Sequence, residues 1–303
     1  MSFRDTIPSE LVTHTIAMCG NRGEQWLDAL PDLIQQLEQE WSISVGRPFP
    51  AVEFNYVAEA VSNNGHRSVI KISPPFDNTE IYSEAKFLQV LNGRGTVRLL
   101  AQDRTHRAIL IERAVPGKNL AELFTGNELG AIDPAIGVLR NITDEPPDNK
   151  TDTIDLDDWF DGLRRYVDTD FPKSYAEKAL ETYAELSRKN VDRYYLHGDF
   201  HPGNVVSATR EPFLAIDPKG IIGPIGYDIA IFLNNFHWWQ DEHPDLRERL
   251  EEAVRKFSQS FDIVPNDLKR WAFAQMVLGA WWTFDEMPEI YENDVTKADI
   301  WGI

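Results

Sequence analysis

Residues 194–206 read YYLHGDFHPGNVV, and this stretch limits the folds open to the chain more than any other. His197, Asp199, His201 and Asn204 crowd an acid, two imidazoles and an amide into one segment. Gly198, Pro202 and Gly203 give that segment the backbone angles of a loop rather than of a helix or strand. A loop so rich in reactive groups, set between two apolar runs, makes a poor core and is better explained as a site. The following NVVSATREPFLAID reads as two short strands around a turn. With Arg210 and Glu211 at the turn's centre, Asn204 and Asp217 face each other at the open end, beside Asp199. One amide oxygen and one carboxylate suit magnesium, which keeps several waters and adds phosphate oxygens to its shell.

The first part of the chain has a different texture. Trp26, Leu27, Leu30, Ile34, Leu37 and Trp41 recur at helical spacing over 24–41, and Pro31 is expected to divide that stretch. Two strand-like runs then flank Asn64-Gly65, a hairpin signal. A helix is expected over 79–91, ending at Gly93, and a second hairpin over 96–113. Lys71 lies on the strand SVIKIS. Glu84 shares a helical face with Ile81, Leu88 and Leu91, so its carboxylate needs a buried partner, and Lys71 is the natural one. After Pro116-Gly117 the chain turns mostly helical, with a polar interruption at 144–150 and apolar helices over 226–240 and 265–285. The expected fold is α+β and bilobal: a β-rich N-terminal lobe over 1–113, a mainly helical C-terminal lobe over 114–303, and a cleft between them.

Lys71, Glu84, HGDFHPGN (197–204) and IDPKG (216–220) resemble the motifs of the aminoglycoside phosphotransferase and protein-kinase-like superfamily. Asp199 and Asn204 match the D-x-x-x-x-N interval of the kinase catalytic loop. CGNRGEQWLDALPDLIQQLEQEW, LIERAVPGKNL and IDPKG look most like the streptomycin 6-phosphotransferase and hydroxyurea phosphotransferase branch, over roughly residues 19–285. The resemblance implies a small-molecule kinase using ATP and Mg²⁺. It makes Asp199 the catalytic base, and Asn204 and Asp217 the magnesium ligands. Lys71 would contact the α- and β-phosphates, oriented by Glu84, and backbone groups of Glu112 and Ala114 would pair with adenine. Lys219 would meet a phosphate. In this superfamily the position of His197 braces the loop. One feature departs from the kinase pattern: GRPFPAVEFNYV, where a phosphate-covering loop belongs, has no G-x-G-x-x-G.

Charge narrows the partners. The chain carries a net charge of −19, which repels nucleic acid and anionic lipid and suits a cationic acceptor. Its one cysteine, Cys19, excludes an intrachain disulfide and a cysteine-based zinc site. No signal-peptide pattern or membrane-length apolar run is seen, so a cytoplasmic protein is expected. His201 either donates to Asp199 or a phosphate, or stabilises the loop. A zinc cluster on His197 and His201 lacks a third ligand group in the sequence. Asp228 is expected to cap a helix, anchor the loop or touch the acceptor. Asp285 and Glu286 are candidates for binding substrate amines, and one member of each Trp pair, 238–239 and 281–282, for lining the acceptor site. The acceptors to weigh are a streptomycin-like aminoglycoside, a hydroxyurea-like compound, and a host sugar or amino-alcohol. A non-catalytic nucleotide-binding pseudokinase and a metal-dependent hydrolase are the rival classes.

Overall fold

The structure is a computed structural model, and it describes residues 3–50, 52, 54–144, 153–189, 192–235, 244–286 and 292–303. The chain divides into two compact units, Met1–Val115 and Pro116–Ile303, each of which is described by itself.

The first unit begins with helices α1 (Ser9–Cys19) and α2 (Asn21–Trp41). Strands β1 (Ile43–Pro48), β2 (Tyr56–Ser62) and β3 (Arg67–Ile72) follow, then helix α3 (Glu80–Leu91) and strands β4 (Leu99–Asp103) and β5 (Ala108–Glu112). The strands form one antiparallel sheet in the order β1-β2-β3-β5-β4. Alternation along β3 sorts its side chains. Ile70 and Ile72 join Ala58, Ala60 and Leu110 against Leu27, Leu30, Ile34 and Leu37 of α2. Lys71 points to the other face, where α3 presents Glu84. Contrary to expectation, Pro31 does not divide α2, which runs unbroken through it. The buried stripe of α2 on the sheet outweighs the one backbone hydrogen bond that a proline removes. The β2–β3 hairpin closes through residues 63–65, with Gly65 at φ 84°, a left-handed conformation that favours glycine.

The second unit starts with strand β6 (Pro116–Asn119), helices α4 (Leu120–Leu123) and α5 (Ile132–Ile142), strand β7 (Ile154–Asp155), and helices α6 (Leu156–Leu163) and α7 (Lys173–Arg188). Strands β8 (Arg193–Leu196), β9 (Val205–Ala208), β10 (Phe213–Ala215) and β11 (Ile221–Pro224) come next. Helices α8 (Gly226–Asn234), α9 (Leu246–Phe261), α10 (Pro265–Glu286) and α11 (Glu292–Lys297) complete it. Two small sheets, β10-β9-β6 and β7-β11-β8, hold the segments that carry the motif residues. Helix α8 is buried on every side from Gly226 to Leu233, as a helix apolar all round must be, and α10 packs along it and along α7. Among the described residues no helix is long and apolar enough to cross a membrane.

Candidate active site

The segment 197–204 leaves β8 and enters β9, and its own side chains hold its shape. The fully buried His197 ring donates from Nε2 to the Ile216 carbonyl (2.8 Å) and accepts the Asp199 N–H at Nδ1 (3.2 Å). Both ring nitrogens are therefore engaged in bracing the loop. Burial pushes the His197 imidazole down to about 3, so the ring is neutral in neutral solution. Asp228 on α8 accepts the backbone N–H groups of His197 (2.7 Å) and Gly198 (2.8 Å), one on each carboxylate oxygen. Burial raises this carboxyl to about 7 against the pull of those two hydrogen bonds. Asp228 is 0% exposed, so of the uses the sequence allows it has the anchoring one, and contact with an acceptor is ruled out.

Asp199 follows directly. Asn204 donates from Nδ2 to the Asp199 carbonyl (3.0 Å) and carboxylate (3.3 Å). That donation leaves the Asn204 Oδ1 as the atom suited to a cation. His201 accepts the Gly203 N–H at Nδ1 (3.0 Å), which places its ring proton on Nε2, 3.8 Å from an Asp199 oxygen. Burial raises the Asp199 carboxyl, while the nearby His201 and Lys219 draw it back and Asp217 adds to the rise. Net, Asp199 binds its proton more tightly than an ordinary aspartate.

The β9–β10 hairpin differs from its expected register by one residue. Ser207 pairs with Phe213 and Val205 with Ala215, and the Ile216 N–H reaches the Asn204 carbonyl at 2.9 Å. Ile216, not Asp217, therefore stands opposite Asn204. Asp217 lies one residue beyond the ladder, exposed and at φ 59°, a left-handed angle that aspartate tolerates better than most residues. The chain then returns through Lys219, whose N–H donates to the His197 carbonyl at 2.7 Å. Among the described residues no three His, Cys, Asp or Glu side chains gather to hold a metal. The donors present, one amide oxygen and one exposed carboxylate, fit a magnesium ion that completes its shell with water and phosphate oxygens. With both His197 nitrogens engaged, a zinc site on the two histidines does not fit.

In the first unit, the Lys71 ammonium donates to Glu84 at 2.6 Å, with side chains only 9% and 4% exposed. At the end of β5, the Glu112 N–H donates to the Arg98 carbonyl (2.8 Å), and its carboxylate accepts the Arg98 N–H (3.1 Å). That N–H is thus not offered to a base, and Ala114 is buried two residues on. The loop after β1 places Phe49 beneath the Arg113 guanidinium at 5.0 Å, and residues 51 and 53 of it lie outside the described residues.

Asp285 is ion-paired with Arg165 at 3.0 Å on the surface. The Glu286 side chain and Trp238–Trp239 lie outside the described residues. Trp281 is a core residue at 1% exposure, whereas Trp282 is half-buried. Sequence reasoning missed Trp159 on α6, whose ring edge lies 3.2 Å from where a Cβ on Gly198 would stand. No pattern in the sequence links position 159 to position 198.

Streptomycin 6-kinase of Streptomyces glaucescens is 27% identical over 300 residues, covering 92% of this chain and 91% of that protein. Hydroxyurea phosphotransferase of Kitasatospora aureofaciens is 26% identical over 305 residues, covering 97% and 85%. Among solved structures, amicoumacin kinase hAmiN in complex with AMP-PNP, Ca²⁺ and Ami superposes with a TM-score of 0.63 at 14% identity, over 90% of this chain and 93% of that one. Choline kinase LicA from Streptococcus pneumoniae gives 0.62 at 13% identity, over 91% and 99%. The fold is thus the two-lobed, protein-kinase-like α+β fold. The family model for aminoglycoside/hydroxyurea antibiotic resistance kinases matches residues 50–286, more than half of the chain, and the chain belongs to that family.

Proposed function

We propose that the chain transfers the γ-phosphate of ATP to a hydroxyl of a streptomycin-like aminoglycoside or a hydroxyurea-like compound, with Asp199 as the base. The observation that carries this reading is the setting of Asp199. It is held by a loop braced through His197 and Asp228, raised in proton affinity, and bonded to Asn204. The acceptor oxygen attacks the γ-phosphorus, the bond to the β-phosphate oxygen breaks, ADP leaves, and the hydroxyl proton passes to Asp199. Asn204 and Asp217 would hold Mg²⁺, which neutralises phosphate charge when bound. Lys71, fixed by Glu84, grips the α- and β-phosphates. Lys219 supplies a second cation to the phosphates, and the His201 Nε2–H a donor to Asp199 or the γ-phosphate. These roles rest on positioning and charge neutralisation rather than covalent chemistry.

The test is an ADP-coupled assay with Mg·ATP across streptomycin, hydroxyurea, and a panel of sugars and amino-alcohols. Turnover on streptomycin or hydroxyurea that disappears in Asp199→Ala, with a wild-type circular dichroism spectrum, supports the reading. Substantial turnover by that variant contradicts it. Stabilisation by Mg·ATP without turnover on any acceptor favours a nucleotide-binding pseudokinase instead.

A further inference from the structure

Gly198, the residue before the proposed base, is confined on more than one side. Its N–H donates to Asp228 (2.8 Å), and the preceding carbonyl, that of His197, accepts the N–H groups of Lys219 (2.7 Å) and Gly220 (3.3 Å). Those bonds fix the 197–198 peptide plane. They do not reach the side where glycine has no side chain, and glycine turns about its own φ and ψ more freely than other residues. At φ 79°, a Cβ on Gly198 would stand 3.0 Å from the Lys219 Cβ, 3.2 Å from the Trp159 ring edge and 3.4 Å from an Ile221 γ-carbon. Lys219 and Ile221 belong to the chain that returns beside the loop, whereas Trp159 reaches it from a separate helix, α6. That helix is firmly seated. A reciprocal cap between Asp155 and Asp158 fixes its start, the Tyr183 hydroxyl of α7 donates to Asp157, and Phe160 stacks on the Tyr183 ring at 3.9 Å. Trp159 itself meets Trp282 and the fully buried Tyr227 edge-on, at 5.1 and 5.9 Å. Tyr227 precedes Asp228, so one turn of α8 supports both the hydrogen bonds to the loop and the ring that packs on Gly198.

We infer that Trp159 is a positioning residue for phosphotransfer: its ring edge locks Gly198 in the left-handed conformation and so fixes the direction in which the Asp199 carboxylate leaves the loop. This inference rests on the reading of Asp199 as the base. Rotation about the Gly198 backbone would swing Asp199, and the bond that opposes it, from the Asp199 N–H to His197 Nδ1, is at 3.2 Å the long end of the hydrogen-bond range. Hydrogen bonding alone therefore resists the rotation weakly, and steric contact from Trp159 closes the remaining freedom. A base displaced by about 1 Å can cost up to about a hundredfold in rate. Proton acceptance by Asp199 belongs to the transition state, so such a displacement lowers kcat and leaves ground-state binding nearly unchanged.

The test measures kcat and KM with Mg·ATP and whichever of streptomycin and hydroxyurea turns over, together with amide hydrogen exchange of the full chain. Trp159→Leu should lower kcat about tenfold or more and leave the KM values for ATP and acceptor within about twofold of wild type. Trp159→Phe, which keeps a ring but a shorter one, should recover part of that loss. Gly198→Ala presses a methyl against the same ring, and combining it with Trp159→Leu should cost less than the product of the two separate losses, as for residues in contact. Exchange at the Gly198 and Asp199 N–H groups should quicken about tenfold or more in Trp159→Leu while the buried middle of α9 keeps its protection, a readout that needs no acceptor and that a general loss of stability does not reproduce. A kcat within about twofold of wild type in Trp159→Leu overturns the inference, as does unchanged exchange at Gly198 and Asp199. A raised acceptor KM at unchanged kcat also overturns it, because Trp159 would then bind the acceptor rather than hold the base. Each of these results leaves Asp199 as the base. Turnover that survives Asp199→Ala removes that reading instead, and the inference with it.

Discussion

Asp199 can act as a base only when ionised, and its burial opposes ionisation while His201 and Lys219 favour it. The net upward shift means that kcat/KM should fall on acidification with a limb above the ordinary aspartate value of about 4, as a pH–rate profile will measure. Beneath it, two buried groups titrate with opposite effects on stability. His197 is held down at about 3, so between the unfolded value of about 6.5 and that point the unfolded chain binds more protons, and stability is lost as pH falls. Asp228 is raised to about 7, so the folded chain binds more protons below that pH, and stability is gained as pH falls toward the ordinary carboxylate value. Substituting His197→Gln removes the first effect and leaves the second. The variant should therefore gain up to about 2 kcal/mol relative to wild type between pH 7.5 and 5, measured by urea unfolding at each pH. Lys71 and Glu84 obey a simpler rule, since removing one partner strands a buried charge. Glu84→Gln should cost about 3–5 kcal/mol and raise the KM for ATP, readable from unfolding curves and initial rates.

At the scale of elements, two departures from expectation have physical causes. Proline within α2 is a local signal for a break, yet Leu27, Leu30, Ile34 and Leu37 lie on one stripe spanning the proline, and burying that stripe keeps the helix whole. Pro31→Ala should restore the missing hydrogen bond and stabilise the protein by about 1–2 kcal/mol in chemical denaturation. The β9–β10 hairpin was legible as a hairpin, but its register was misplaced by one residue. Symmetry about 210–211 suggested Asn204 opposite Asp217. The ladder instead runs one residue earlier and releases Asp217 into a left-handed turn. Alternation sets which side chains share a face, and a loop with no tight-turn signature leaves a single-residue slip open.

For the whole molecule, the charge of −19 sets the long-range field. Self-repulsion destabilises the compact state, so raising NaCl from about 10 mM to 150 mM should raise the Tm as the screening length shortens. The same change should raise the KM for a cationic acceptor such as streptomycin and leave that for uncharged hydroxyurea nearly constant, which separates the field from local contacts.

Sequence by itself was enough for features written in short intervals and in periodicity. These are the loop 197–204 with its acid, imidazoles and amide, the sheet and helix of the first unit, and the pairing of Lys71 with Glu84. Strand alternation and helical spacing state which side of an element is buried, and a buried carboxylate demands a cation nearby. Only the tertiary structure decided that Asp228 clamps the N–H groups of residues 31 and 30 positions earlier. The same holds for Trp159 against Gly198, and for Asp285 with Arg165 across 120 positions. Periodicity encodes how much of a surface is covered. Which distant group covers it depends on how helices and strands pack, and no local pattern carries that information.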